Sequence, residues 1–538
     1  HVRRRAHRRN IINDEFHRIP LKINNYNEMK SKVVNLLLIF AGIMAFGQDD
    51  FNRKGIFPYS DLTTQDRSDT SGLEVYRGPR LINFGPLKDK MSTNPVNDLP
   101  KPNRQQYEFM QLEMGLFIHY GMNTYSGQGT GGSGRFSPKI FNPTELDCDN
   151  WMEVAKAMGA KYAVLTARHE EGFCLWPTNT TDYSIRNSPY KNGKGDIVGE
   201  FVEACRRHGI KPCLYISSYM DAHHIFKPGD PISWHQEWFK TTRKRLAEPG
   251  AAESFTKMQV EQIRELLTNY GPITYLWMDH IGETQGILDP VAVDKFWVQI
   301  VREARRLQPN CLLMSMDVAL TRDAQTEGGV HGGRAAYPLW YASKRQDSKV
   351  MQGWPEADVE NSDQFIVWES NTIFSGGWFW NGPEVKSVEE MKEHYLYTVG
   401  RGSTFLPNFA PDKRGLMTEK VMERANLFGQ FVHQFDESIA ETSGNGTQIE
   451  LKLSKNVSIN HILIEEELRE GQKVLAYEVD ARQKDGTWTV IAKGKSIGNK
   501  RIQSLTPIKT EAIRLRILDA ESKELKIKRF GAFNLENK

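Results

Sequence analysis

Cysteine is scarce in this chain, with five in 538 residues, at positions 148, 174, 205, 213 and 311. The count is odd, and neither a Cys-x-x-Cys pair nor a zinc-type spacing is present. That argues against a disulfide framework and leaves small, buried, apolar side chains. Net charge is nearly absent too. Lys+Arg number 70 against Asp+Glu 67, and no basic stripe recurs along the body of the chain, so a nucleic-acid partner is not expected. The glycine-rich run Gln128–Gly134 is not followed by Gly-Lys-Ser/Thr, which rules against a phosphate loop. No dinucleotide fingerprint is found. His169, Glu170, Glu171, His223 and His224 are residues that can bind metals, but they lack the spacing of a tight site such as His-Glu-x-x-His. No metal and no cofactor are expected.

Long apolar runs are missing as well. Val33 to Phe46 is largely apolar but short of the ~20 residues of a membrane span. Met29-Lys-Ser-Lys precedes it and Gly47-Gln48-Asp49-Asp50 follows, the pattern of a secretory signal peptide. No cysteine follows the run, which disfavours a lipid anchor. Residues 1–28, with five arginines in the first nine positions, read as upstream sequence ahead of the signal. Residues 1–48 are therefore set apart as upstream sequence and signal peptide. The mature chain is expected to be exported, to a periplasm or beyond, with no membrane span.

What is present begins with an irregular polar segment, 49–80, and continues in a long alternation of strands and helices over 81–437. Strands are expected at 114–121, 161–166, 212–217, 275–279, 311–315, 364–369 and 403–407. Helices are expected at 105–113, 149–158, 196–208, 258–269, 295–308 and 387–399. The strands are near-continuous apolar runs, as in a parallel sheet covered on both faces. Polar residues collect where the strands end. That pattern predicts a (β/α)8-type barrel, whose catalytic groups lie at the C-terminal ends of the strands. From about residue 438 the texture changes to short, alternating strands with an Asp485-Gly486 turn. It predicts an antiparallel β-sandwich over 438–538, with a bracing role favoured over glycan binding.

Tyr275-Leu276-Trp277-Met278-Asp279 is the central stretch: apolar residues running straight into a carboxylate. Taken alone, Asp279 could equally cap a following helix. The other strand ends supply His119, Tyr120, His169, Glu170, Glu171, Tyr215, Asp221, Glu327 and Glu369. Trp176, Trp277, Trp378 and Trp380 are candidate aromatic walls. Two carboxylates flanking an aromatic pocket fit glycoside hydrolysis.

These residues resemble the α-L-fucosidases of glycoside hydrolase family 29. Gly115-Leu-Phe-Ile-His119-Tyr-Gly121 is similar to the family's first-strand motif. Val164 to Trp176 is similar to the segment carrying its His-His-Asp-Gly-Phe motif. Leu276-Trp-Met-Asp279, Ser375-Gly-Gly-Trp-Phe-Trp380 and Ser403 to Gly415 match later segments. The resemblance implies a retaining, exo-acting hydrolase that cleaves oligo- or polysaccharides, with Asp279 as nucleophile. It implies Glu327 as acid/base, in register with the motif of the subgroup cleaving α-1,3/1,4 branches, with Glu369 in reserve. His119, Tyr120, His169, Glu170, Tyr215, Trp277 and Trp378 would line the sugar pocket. A catalytically inactive, carbohydrate-binding relative is the alternative.

The departures from the family pattern concern specificity. Glu170 and Glu171 stand where the family has His and Asp. Gly131-Gly-Ser-Gly134 stands where a Glu-Trp pair is usual, and His280 replaces a glycine after the nucleophile. A more polar, roomier pocket is expected, one that takes α-L-galactose, the 6-hydroxy analogue of α-L-fucose.

Overall fold

The computed structural model describes residues 101–535, apart from 103, 128–131, 219, 232–235, 280–298, 301–302, 305, 316–328, 335–341, 344–345, 348–366 and 495. The signal and irregular segments expected over 1–80 lie outside the described residues, as do Glu327 and His280.

Eight parallel strands close a barrel in sequence order. They are β1 Gly115–Ile118, β2 Tyr162–Arg168, β3 Lys211–Ser217, β4 Tyr275–Asp279, β5 Leu312–Ser315, β6 Gly329–Arg334, β7 Val367–Ile373 and β8 Thr404–Asn408. The seven strands expected are all present, and β6 is the one missed. Its sequence, Gly-Val-His-Gly-Gly-Arg, carries no apolar run, and it is held by pairing with β5 and β7 on either side.

Along β1 to β4 the side chains alternate between two cores. β2 and β4 are buried at every residue. Phe117, Tyr162, Val164, Cys213, Tyr215, Tyr275, Trp277 and Leu406 point inward and fill the barrel axis. Ala163, Leu165, Leu214, Ile216, Leu276 and Met278 point outward and pack against the surrounding helices.

The helices in use below are α1 Arg104–Met110, α2 Cys148–Ala157, α3 Ile197–Arg207, α4 Gln236–Leu246, α5 Ala251–Asn269, α6 Val388–Tyr397 and α7 Glu419–His433. Side-chain caps set the starts of four of them, the fourth being Thr418, which accepts from the Val421 N–H at the start of α7. Asp147 accepts from the Asp149 N–H and Asp196 from the Gly199 N–H, while Ser387 and Glu390 form a capping box. α4 and α7 were not anticipated. α5 begins at Ala251, ahead of the expected residue 258.

Beyond α7 a six-stranded antiparallel sheet folds into the sandwich. Its strands are β9 Ala440–Asn445, β10 Gln448–Glu466, β11 Val474–Arg482, β12 Trp488–Gly494, β13 Arg501–Ala520 and β14 Lys526–Phe533. β10 and β13 are long, and their pairing breaks register after Lys452 and again after Ile459. Such bulges bend a strand, and the sheet shares one apolar core. The sandwich also completes the barrel. Leu463, Ile502, Phe533 and Leu535 join the barrel's outer core. Leu468 reaches the axial core beside Phe109 and Met110 of α1.

Candidate active site

Asp279 ends β4, pointing inward like Trp277 and Tyr275 before it, and is 8% exposed. Tyr215, the inward residue of β3, donates its hydroxyl to Asp279 Oδ2 at 2.7 Å. The neighbouring strand is tied in as well, since the Ser218 N–H donates to the Asp279 carbonyl. Burial and the charges of Asp279 and Glu170 push the Tyr215 hydroxyl far above its ordinary range, so it stays a donor. A short hydrogen bond from a neutral donor to a carboxylate is among the stronger kinds, and it fixes which oxygen of Asp279 is engaged.

Two imidazoles complete this wall. The His169 ring stacks on Tyr215, centroids 5.3 Å apart and 11° from parallel. His119 stands 5.4 Å from His169, edge to face. His119 Nδ1 is 2.7 Å from Asn408 Oδ1. The Asn408 amide is itself oriented, because its Nδ2 donates to the carbonyls of Trp378 and Gly377. Its oxygen must therefore be the acceptor, and His119 carries its proton on Nδ1. Trp378 and Phe379 pack against His119, with centroids at 4.9 and 5.4 Å. Phe379 lies 5.0 Å from His169.

Below them Trp277 and Phe117 form the floor, at 5.4 Å and 5.9 Å from the Tyr215 ring. The site is thus a cup of rings with one carboxylate at its rim, the layout expected for a sugar face lying against aromatic carbon.

Two further carboxylates crowd the β2 end of the cup. Glu170 and Glu171 are both buried. Glu171 Oε2 accepts from Asn123 at 3.1 Å and lies 3.6 Å from His169 Nδ1. Burial opposes a charge on His169, but Glu170, Glu171 and Asp279 outweigh it and raise its pKa. Behind the loop, Arg168 forms a fully buried pair with Asp221 at 2.8 Å and donates to the Ser217 carbonyl. Although burial works against it, His224 and Arg168 hold the Asp221 carboxyl down at about 2. Asp221 and His224 therefore brace the loop and are not pocket residues.

Four expectations are corrected here. Tyr120 follows the inward His119 and so faces outward; its hydroxyl meets Tyr125 at 2.8 Å and its ring packs on Phe141 and Trp151. Trp176 is outer core and donates to Glu265. Glu369 is not at a strand end. It is the third residue of β7, bonded to the hydroxyls of Tyr162 and Tyr275, the first residues of β2 and β4. It therefore lies at the opposite end of the barrel from Asp279. The glycine-rich stretch leaves no room beside Glu171. A Cβ at Gly132 would fall 2.9 Å from Glu171 Cβ, and one at Gly134, where φ is +66°, 2.7 Å from the Glu171 carbonyl. These glycines permit close packing of backbone.

Asn408 and Phe379 were missed as site residues. Asn408 could have been found as the closing residue of the last strand, by the logic that found Asp279. Among the described residues no group of three or more His, Cys, Asp or Glu side chains is placed to hold a metal. No described helix is long and apolar enough to cross a membrane.

Comparison with known proteins identifies the family. The family model for alpha-L-fucosidase matches residues 135–437. Alpha-L-fucosidase 1 of Arabidopsis thaliana is 27% identical over 476 residues, spanning 81% of this chain and 88% of the relative. Plasma alpha-L-fucosidase of Homo sapiens is 26% identical over 318 residues, 57% of this chain and 56% of that protein. Among solved structures, a glycoside hydrolase 29 family member from an unknown rumen bacterium matches with a TM-score of 0.66 and 27% identity, over 82% of this chain and 79% of that one. The family model spans more than half of the sequence and takes in the barrel from β2 to β8, so the chain belongs to the α-L-fucosidase family of glycoside hydrolases.

Proposed function

We propose that this glycosidase is an exo-acting, retaining enzyme that releases a terminal α-L-fucose-type sugar, with Asp279 as nucleophile. The observation that carries this reading is the buried Asp279, held by Tyr215 at the rim of an aromatic cup. In the first step an Asp279 oxygen attacks the anomeric carbon as the bond to the leaving oxygen breaks. The acid/base, which we assign to Glu327, gives its proton to that oxygen. In the second step Glu327 takes a proton from water, which attacks the same carbon and frees Asp279. His119, His169 and Tyr215 meet the sugar hydroxyls, and Trp277 and Trp378 meet its carbon face.

The preferred sugar is α-L-galactose, or both sugars are accepted. Fucose ends in a methyl group, which wants an apolar niche, whereas galactose carries a hydroxyl there. Glu170 and Glu171 supply two buried acceptors in a stretch where the family has His and Asp. A buried acceptor built for a hydroxyl discriminates against the analogue that lacks it. The register of Glu327 supports the subgroup that cleaves α-1,3/1,4 branches. The basic start and apolar run of Met29 to Phe46 support export.

The test is kcat/KM on aryl α-L-fucoside and aryl α-L-galactoside, with Asp279→Asn alongside. The galactoside should be preferred or equal, and Glu170→His should move preference toward fucoside by roughly 10-fold or more. A strong wild-type preference for fucoside overturns the galactose assignment. Asp279→Asn should lose roughly 10^3-fold or more in kcat, and full turnover in that variant overturns the nucleophile.

A further inference from the structure

Glu369 is a buried carboxyl that the two-carboxylate mechanism leaves without a part. It is 1% exposed in the barrel axis. Three neutral donors converge on it. Tyr162 donates to Oε2 at 2.6 Å, the Tyr275 hydroxyl lies 3.0 Å from the same oxygen, and Trp277 Nε1 donates to Oε1 at 3.1 Å. Both oxygens are therefore in use: Oε2 toward Tyr162 of β2 and Tyr275 of β4, and Oε1 toward Trp277 of β4. A glutamine cannot copy this, since its amide has a single acceptor oxygen and presents an N–H2 where a second acceptor is needed.

The indole that Glu369 holds is the one beneath the nucleophile. Trp277 lies two residues before Asp279 on the same face of β4. Its ring packs 5.4 Å from Tyr215 and 5.7 Å from Phe117, and Tyr215 is the donor to Asp279. A buried indole N–H needs an acceptor, and a ring without one can rotate to seek another. Rotation of Trp277 would shift Tyr215 and, with it, the hydrogen bond at Asp279.

We propose that Glu369 is a positioning residue of the glycosidase reaction: by anchoring the Trp277 indole from below, it sets Tyr215 and through it the attacking oxygen of Asp279. The inference rests on Asp279 being the nucleophile. Burial raises the Glu369 carboxyl to about 7, while its three donors oppose the rise. Such a value would suit a general acid, but two of its donors, Tyr162 and Tyr275, are the first residues of their strands, at the N-terminal end of the barrel, so the group acts through Trp277 and never meets the leaving oxygen.

The experiment is a double-mutant cycle on the full-length enzyme, using Glu369→Gln, Trp277→Phe and the pair. Glu369→Gln should lower kcat by roughly 10- to 100-fold, the scale of a small misplacement of a reacting group, with KM changed less than ~3-fold. The loss should be the same on aryl glycosides with good and poor leaving groups, and azide should not restore it. In the Trp277→Phe background the Glu369 change should cost less than ~3-fold further, because the coupled pair is already broken. Tyr162→Phe removes one donor from the carboxyl and leaves every pocket residue in place. It should lower kcat in the same manner by a smaller factor. Losses confined to poor leaving groups and rescued by azide would make Glu369 an acid/base and overturn the positioning role. Fully additive losses in the cycle, or unchanged kcat in both Glu369→Gln and Tyr162→Phe, would overturn it as well. Asp279→Asn separates the two levels. If it keeps full turnover, Asp279 is not the nucleophile and the reading beneath this inference falls, whereas an inactive Asp279→Asn beside a fully active Glu369→Gln sinks the positioning role alone.

Discussion

The Tyr215 hydroxyl makes one contact of evident chemical weight, its 2.7 Å bond to Asp279. Phenylalanine at this position keeps the ring, and with it the stack on His169 and the contact with Trp277. Only the donor is lost. Hydrogen bonds to charged groups are worth about 1.5–3 kcal/mol, so Tyr215→Phe should lower kcat/KM by roughly 10- to 100-fold. Steady-state kinetics on an activated aryl glycoside checks this, and a loss below about threefold would mean that Asp279 does not depend on Tyr215 for its alignment. At this scale the sequence was informative where a polar residue ends a strand and points inward. His119, His169 and Asp279 are of that kind. It misled at Tyr120, because one step along a strand reverses the direction of the side chain. It misled at Glu369 because the strand was ended there, whereas β7 continues to Ile373. The apolar run stops early since Ser370, Asn371 and Thr372 are buried polar residues, which composition cannot tell from a loop.

At the scale of elements, the close crossing of α7 and α2 is the sharpest constraint. A Cβ on Gly429 of α7 would lie 1.8 Å from the Ala157 carbonyl oxygen of α2. That partner is backbone and cannot rotate away, so the helices must part. Overpacking of this kind costs about 1–3 kcal/mol. Gly429→Ala should lower the Tm by several degrees in a thermal melt while leaving KM near wild type, because the crossing lies behind the outer core and away from the cup. An unchanged Tm would show that α7 can shift freely. Such a helix was hard to read in advance, since its value lies in packing against α2. The strands were easier, because a short, continuous apolar run between turn residues fits a strand covered on both faces better than an amphipathic helix. β6 is the counter-example. It is half glycine, and only its neighbours β5 and β7 make it a strand. The sandwich strands were expected as separate short pieces for a related reason. Sequence alternation registers both halves of β10 but only the second half of β13, over 512–518, and not the bulges that join the halves.

At the scale of the whole molecule, burial of ionisable groups sets how stability varies with pH. Glu369 in the barrel and Glu466 in the sandwich are both raised to about 7 by burial. In each case the folded state holds a proton that the unfolded state has released above about 4.5, so stability falls as pH rises from about 4.5 to 7. His394 and His461 are lowered to about 4 by burial. There the unfolded state binds the extra proton below about 6.5, so stability rises with pH over nearly the same window. The two pairs oppose each other, so their joint contribution to stability is nearly flat between about pH 4.5 and 7. Removing one member exposes the balance. Glu466 takes N–H bonds from Lys473 and Val474 on Oε1 and from Gly498 on Oε2, and glutamine there does not titrate. Glu466→Gln should tilt the profile upward with pH relative to the wild type, by up to roughly 3 kcal/mol across the window. The measurement is Tm at about pH 4.5 and about pH 7 for both proteins. The slope, not the absolute Tm, carries the argument, because the substitution also disturbs the three backbone bonds. A variant whose Tm changes with pH no more than that of the wild type would mean that Glu466 does not titrate in this range, and that its carboxyl is kept for geometry alone.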